Sequence, residues 1–254
     1  MQVLRDKPNV LNIPAGQSFA DSLARGLLAR AAQDPLALGD YLLLLPSRRA
    51  CRTLRDAFLR LSGGQAIVLP RMVPVGDVEA EEVTLLLSGL DDGGESLGDI
   101  PDAVSKMERQ ILLAHALMKS GKAQSFDQAV SLAQDLGHFL DEVQTENLSF
   151  DGLAKLVPDA FAGHWQQTLN FLETLTRIWP EILQSRGVID SAARRNLLLA
   201  AQETVWRHQP PAYPVIAAGS TGTVPAARAL LALVAHLPQG ELVLPGLDTG
   251  LDED

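Results

Sequence analysis

Five consecutive apolar residues, Tyr41 to Leu45, end abruptly at Pro46-Ser47. A run this short and this uniformly apolar reads as a strand buried on both faces, as in a parallel sheet. Parallel neighbours require crossover helices, and the flanking sequence supplies them. Asn9 to Ile13 reads as a strand turned by Pro14-Ala15-Gly16. Ser18 to Ala32 follows as a helix with Ser18 at its N-cap. Arg48 to Leu61 has helical period and stops at Gly63-Gly64, and Ala66 to Leu69 reads as a third strand. This order predicts an α/β fold built on a parallel sheet.

The pattern then changes. Asp102 is expected to cap a helix running to Met118. Ser125 with Gln128 has the spacing of a capping box, and Phe126, Ala129, Val130, Ala133, Leu136, Leu140 and Val143 continue it with helical period. His164 to Ser185 reads as a long helix kinked at Pro180 and ended by Gly187. Asp190 is expected to cap a last helix to about Arg207. After Pro210-Pro211 the α/β pattern returns, with strands at 215–218 and 241–244 and a helix over 224–237. The expected organisation is an α/β core over 1–90, a large all-helical insertion over 91–209 and the resumed core over 210–254. Asp91 to Glu95 forms the loop between the first two. A final strand followed by Asp252-Glu253-Asp254 reads as the cut end of a longer chain.

Charge and cysteine content exclude several classes. The 254 residues carry a net charge of −10, so the chain as a whole is no electrostatic partner for nucleic acid or anionic lipid. No apolar run approaches the roughly 20 residues of a membrane span, and the first residues lack the apolar core of a signal peptide. The one cysteine, Cys51, has no internal disulfide partner, which fits a reducing cytoplasm, and it falls on the apolar side of its helix. The 5 histidines show no metal-binding spacing, and no nucleophilic triad can be argued, so neither a metal nor a catalytic residue is expected.

The average charge hides a local excess. From Tyr41 to Arg71 there are six arginines and one acid, so this segment carries +5 and the rest −15. At 100° per residue, Arg48, Arg52 and Arg55 form one stripe, with Arg49 and Arg60 beside it. Guanidinium forks suit phosphate oxygens, and Ser47 stands ready at the helix start; the alternative is an ordinary solvated face. Gly219-Ser220-Thr221-Gly222-Thr223 joins a strand to a helix. That is where parallel sheets bind ligands, or it is a turn with Thr223 as N-cap.

The strand Asn9 to Ile13 and its turn occupy the place of a phosphate-binding loop, with Gly16, Gln17 and Ser18 as its remnant. The pattern G-x-x-x-x-G-K-[ST] laid on Ile13 to Ala20 loses both glycines, and Phe19 and Ala20 replace the lysine and the hydroxyl. Hydrolysis is therefore not expected. Leu140-Asp141-Glu142-Val143 is superficially like the acidic ATPase motif, but its helical period makes it a solvated helix face.

Several segments together carry a resemblance. They are Asn12 to Gly16, Leu43 to Ala50, Leu69-Pro70-Arg71 with Gly76-Asp77, Ala217 to Gly222, and Val243 to Asp248. The chain resembles the N-terminal, helicase-like part of the AddB family, the second subunits of AddAB helicase–nucleases, in its alphaproteobacterial form. The resemblance implies a P-loop-like core similar to domain 1A of superfamily 1 helicases, interrupted by a 1B-like helical insertion. It implies a part in double-strand break repair and recombination, with DNA and an AddA-like helicase–nuclease subunit as partners. It places the nuclease domain, and any iron–sulfur cysteines, beyond Asp254. The segment itself is then expected to be a non-hydrolysing scaffold without cofactor. Ser47, Arg48, Arg49 and Arg52 would grip phosphates, and Arg71, Ser220 and Thr221 would flank the path. The alternatives are a module that docks the motor subunit without touching DNA, and a deviant P-loop ATPase.

Overall fold

The computed structural model describes residues 3–31, 34, 36–75, 100–149 and 174–247. These form two compact units. One comprises 1–94 with 198–254, the other 95–197. The expected 91–95 loop, the start of the 164–185 helix and the acidic end at 252–254 lie outside the described residues. Among the described residues, no helix is long and apolar enough to cross a membrane.

The first unit is an α/β structure around a parallel five-stranded sheet in the order β1-β7-β6-β2-β3. Its strands are β1 (Val10–Ile13), β2 (Leu42–Leu45), β3 (Arg71–Pro74), β6 (Val215–Ala218) and β7 (Gly240–Pro245). β2 and β6 pair directly, Leu42 opposite Val215 and Leu44 opposite Ala217. Both strands are buried along their whole length, so each face of the sheet needs a helical cover. Leu43, Leu45, Ile216 and Ala218 pack under α1 (Phe19–Arg30) and α2 (Arg48–Leu61). Leu42, Leu44, Val215 and Ala217 pack under α7 (Pro225–His236) and the end of α6 (Ser191–His208). The fully enclosed Phe58 alone contributes about 1.5–3 kcal/mol by leaving water. At the far side of α1, Arg30 forms a two-pronged bond to Glu241 at 2.9 and 3.0 Å, and this bond raises the guanidinium pKa further.

The third strand differs from expectation. Ladder bonds run from Arg71 N to Tyr41 O (3.0 Å) and from Val75 N to Leu45 O (2.7 Å), so 71–74, not 66–69, is the paired segment. On this edge strand the odd residues face β2. Pro70 and Pro74 both fall on the outward phase, where no N–H is needed. Ile67 and Leu69 instead pack against the layer of α1 and α2.

The second unit contains α3 (Lys106–Lys119), α4 (Phe126–Thr145), α5 (Trp179–Arg186) and the start of α6. It is not purely helical. β4 (Asp102–Ala103) and β5 (Val188–Ile189) pair in parallel. Asp102 therefore belongs to a strand and caps nothing. Ser105 caps α3, its Oγ accepting from Glu108 N at 3.3 Å. The expected box at α4 forms in a modified way. Ser125 Oγ accepts from Gln128 N (3.2 Å), while Gln128 Oε1 accepts from Gln124 N (2.8 Å). Pro180 lies in the first turn of α5, which follows a π-helical turn at Thr174–Ile178. Gly187 at φ +65° ends α5 as expected.

A buried acid organises this unit. Asp190 is 1% exposed, and its Oδ2 accepts from Trp179 Nε1 (2.9 Å) and Gln144 Nε2 (2.8 Å). Arg109 Nε lies 2.9 Å from Asp190 Oδ1, an ion pair whose N–H is not aligned as a hydrogen bond. Arg109 Nη1 bonds Asp141 at 2.8 Å, so Asp141 is an ion-pair partner and not merely part of a wet helix face. Asp190→Ala leaves two donors unmatched and the buried Arg109 with Asp141 as its one carboxylate among the described residues. It should cost about 3–5 kcal/mol in urea unfolding followed by tryptophan fluorescence. Asp141→Ala, at the half-exposed end of the network, should cost markedly less.

Candidate functional site

The direction of the chain reverses between β2 and β6. β2 leads through α2 to β3 on one side, and β6 leads through α7 to β7 on the other, with α2 and α7 on opposite faces. At such a switch point, loops beyond the carboxyl ends of the strands diverge and leave a crevice, the usual ligand site of open parallel sheets. The residues there are Pro46-Ser47 after β2 and Gly219-Ser220-Thr221 after β6.

Local chemistry fixes these loops. Ser47 is extended, and its Oγ accepts from Ala50 N at 3.2 Å, capping α2 while its own proton stays available to donate. Ser220 Oγ accepts from Gly222 N at 3.2 Å. The cap of α7 is Val224, not Thr223. It makes no side-chain cap bond, and Pro225 in the first turn needs no N–H there. At the neighbouring edge, Gly16 at φ +89° turns the chain into α1. Ser18 caps that helix through Asp21 N at 3.5 Å, and Ser22 Oγ donates to Gln17 Oε1 at 3.4 Å. The Asn12 amide clamps the backbone of Leu247, donating to its O (2.8 Å) and accepting from its N (2.9 Å).

Between α1 and α2 lies a cavity of about 430 Å³, lined chiefly by apolar side chains such as Phe19, Leu23, Pro46 and Leu54, with Ser47 and Arg49. Phe19, at the position a phosphate loop would give to lysine, packs against Gly219. A Cβ there would meet the ring at 3.0 Å. Gly219 is also at φ +75°, so the residue is glycine for two reasons.

Along α2 the wheel holds. Arg48, Arg49, Arg52 and Arg55 are exposed, while Cys51, Leu54, Ala57 and Phe58 are buried. Arg60 is tied to Asp21 at 2.5 Å. Arg49, Arg52 and Arg55 make no hydrogen bond or ion pair among the described residues.

Ser47, Arg48, Arg49, Ser220 and Thr221 thus share the carboxyl edge, and Arg52 continues the strip one turn along α2. Arg71 does not join them. It opens β3 opposite Leu42, at the amino edge, about 16 Å along the strands from Ser47. It lies instead near Tyr41 and Tyr213, a grouping that no sequence spacing signals. Gly76, Asp77 and Asp248 lie outside the described residues. No three His, Cys, Asp or Glu side chains gather in a metal-holding group among the described residues.

A scan of protein-family models finds no match to this chain, and a search of curated proteins finds none.

Gly219→Ala forces an L-residue into the left-handed region and against the Phe19 ring. It should cost about 1–2 kcal/mol in thermal or urea unfolding. Adding Phe19→Leu should recover only the part due to the ring.

Proposed function

We propose that this chain is a non-hydrolysing, helicase-like DNA-holding segment of an AddB-like subunit that processes double-strand ends for recombinational repair. In this reading the sheet unit is the P-loop-like core and the other unit is its helical insertion. Gly16, Gln17 and Ser18 are what remains of a phosphate loop. A strand of DNA lies across the switch point. Arg48, Arg49 and Arg52 neutralise successive phosphates, and Ser47, Ser220 and Thr221 add hydroxyl donors. The acidic remainder of the chain keeps binding elsewhere weak.

One observation carries the reading. Among the described residues, Arg49 and Arg52 stand exposed and without partners beside a ligand-type crevice, in a chain whose other charge is strongly negative. Arg60 and Arg30, by contrast, are paired with Asp21 and Glu241. A second reading, docking of an AddA-like motor without DNA contact, is favoured by an apolar stripe on α3. There Met107, Ile111 and Met118 are exposed on one side of the helix.

The test is single-strand oligonucleotide affinity against salt, read by fluorescence anisotropy. Each neutralised phosphate contributes about 0.7 to the slope of log K against log salt for single strands. The variant Arg49→Gln/Arg52→Gln should therefore lower the slope by roughly 1.4 and weaken binding at low salt. Equal slopes for the two proteins would remove the arginine strip from the reading and leave the docking role. Micromolar Mg-ATP binding lost on altering Gly16 would instead favour a deviant ATPase.

A further inference from the structure

The amino edge of the same sheet carries a second hollow, of about 490 Å³. That is within the range of about 300–1,000 Å³ typical of small-molecule sites. Its walls are the starts of β2, β3 and β6, and they are pinned. Leu42 N donates to Pro214 O at 2.9 Å, Arg71 N to Tyr41 O at 3.0 Å, and Gln239 Nε2 to Ala212 O at 2.7 Å. Beneath, Gly39 sits so close to Val68 that a Cβ would meet its methyl at 2.9 Å. The hollow is therefore formed before anything enters it.

Its chemistry is specific. The chain has 2 tyrosines, and both, Tyr41 and Tyr213, line this one hollow although 172 positions separate them. Arg71 supplies a cation and Asp40 a carboxylate. The Tyr213 hydroxyl is buried, and Arg71 approaches it without a well-aligned hydrogen bond. Burial pushes its pKa up, while the guanidinium, by its charge and by donating toward the oxygen, pulls it down. Among the described residues the Tyr213 O–H has no acceptor, and Arg71 has donors to spare. An oxyanion is the acceptor that serves both. The aromatic side chains then suit a flat ring attached to it, and Asp40 suits an N–H or O–H on that ring.

We infer that this hollow binds a small planar ring compound bearing an oxyanion, held by Arg71 and Tyr213 and packed against the two tyrosines. The site lies at the opposite end of the strands from the arginine strip and does not depend on the DNA reading. Arg71 is the one cation lining it among the described residues, which is too few for a phosphate track. One carboxylate is too few for a metal.

The test is calorimetric titration of the full chain with two probes, adenosine 5′-monophosphate and 4-aminobenzoate. They carry the oxyanion as phosphate or as carboxylate. Adenosine and inorganic phosphate serve as the separate halves. At least one probe should bind at about 1 mM or tighter, with neither half approaching it. Arg71→Gln should weaken that binding about tenfold or more. Tyr213→Phe should weaken it severalfold and yet raise the melting temperature, because it deletes an unmatched buried hydroxyl. That opposite pair of signs separates a ligand donor from a structural tyrosine. The inference is overturned if neither probe binds, if phosphate alone binds as well, or if either substitution leaves the affinity unchanged.

Discussion

The pairing of β2 with β6 is the constraint on which the sheet unit depends. Leu42 to Leu45 and Val215 to Ala218 are enclosed on both faces, and their backbones bond each other across some 170 positions of chain. Four consecutive leucines in an extended segment put two side chains on each face, so one helical layer cannot dry them. Two layers are required, and parallel strands admit them only through crossovers of one hand. Moving from β2 to β3 puts α2 on one face, and moving from β6 to β7 in the opposite direction puts α7 on the other. The reversal between β2 and β6 follows from covering both faces, and the crevice at their carboxyl ends follows from the reversal.

That geometry gives the two ends of the strands different chemistry. At the carboxyl end, helices begin, so the loops are held by hydroxyl caps and glycines. Ser47 and Ser220 use their oxygens as acceptors toward backbone N–H groups and keep a proton to give. At the amino end, loops run into strands and their amides are consumed by the ladder, as at Leu42 and Arg71. What remains there is side-chain chemistry, the two tyrosines, Arg71 and Asp40. A residue's place on one end or the other therefore decides which partners it can have. Arg71 belongs to the amino end because its strand is 71–74 and not 66–69.

Local signals were legible where the physics is local. The bounds of α2 coincide with the period read from Arg48 to Leu61, and the Ser18 and Ser125 caps stand where their spacing put them. The buried run of β2 and the enclosed Cys51 were also plain. Errors arose where two local readings competed. Ala66 to Leu69 is as apolar as a strand, but Pro70 and Pro74 match the phase of an edge strand one step later. Asp102 is a good cap residue, yet Ser105 with Glu108 has the fuller capping pattern and prevails. Contacts between distant residues were not legible at all. Nothing in the surroundings of Asp190 tells that Trp179, Gln144 and Arg109 converge on it, or that Tyr41 and Tyr213 share a wall. Those pairings are properties of the packed chain.

Phe19 ties two loops of the carboxyl edge together. It begins α1, and its ring rests on Gly219, so the first turn of the chain is joined by an apolar contact to the loop after β6. A loop that cradles phosphates needs open backbone N–H groups, a cation and room, whereas an aromatic ring at this place supplies cohesion and takes up space. The cations at this edge come from α2, beside the crevice, where Arg49 and Arg52 face water without partners among the described residues. The positive charge at this edge thus stands at the start of α2 and not at the β1 turn. A charge on a helix surface can follow a long phosphate chain but cannot enclose a single phosphate group. In the proposed reading, the division between Phe19 and the arginine strip is why DNA, an extended polyanion, and not a nucleotide enclosed at Gly16, is the ligand of this edge.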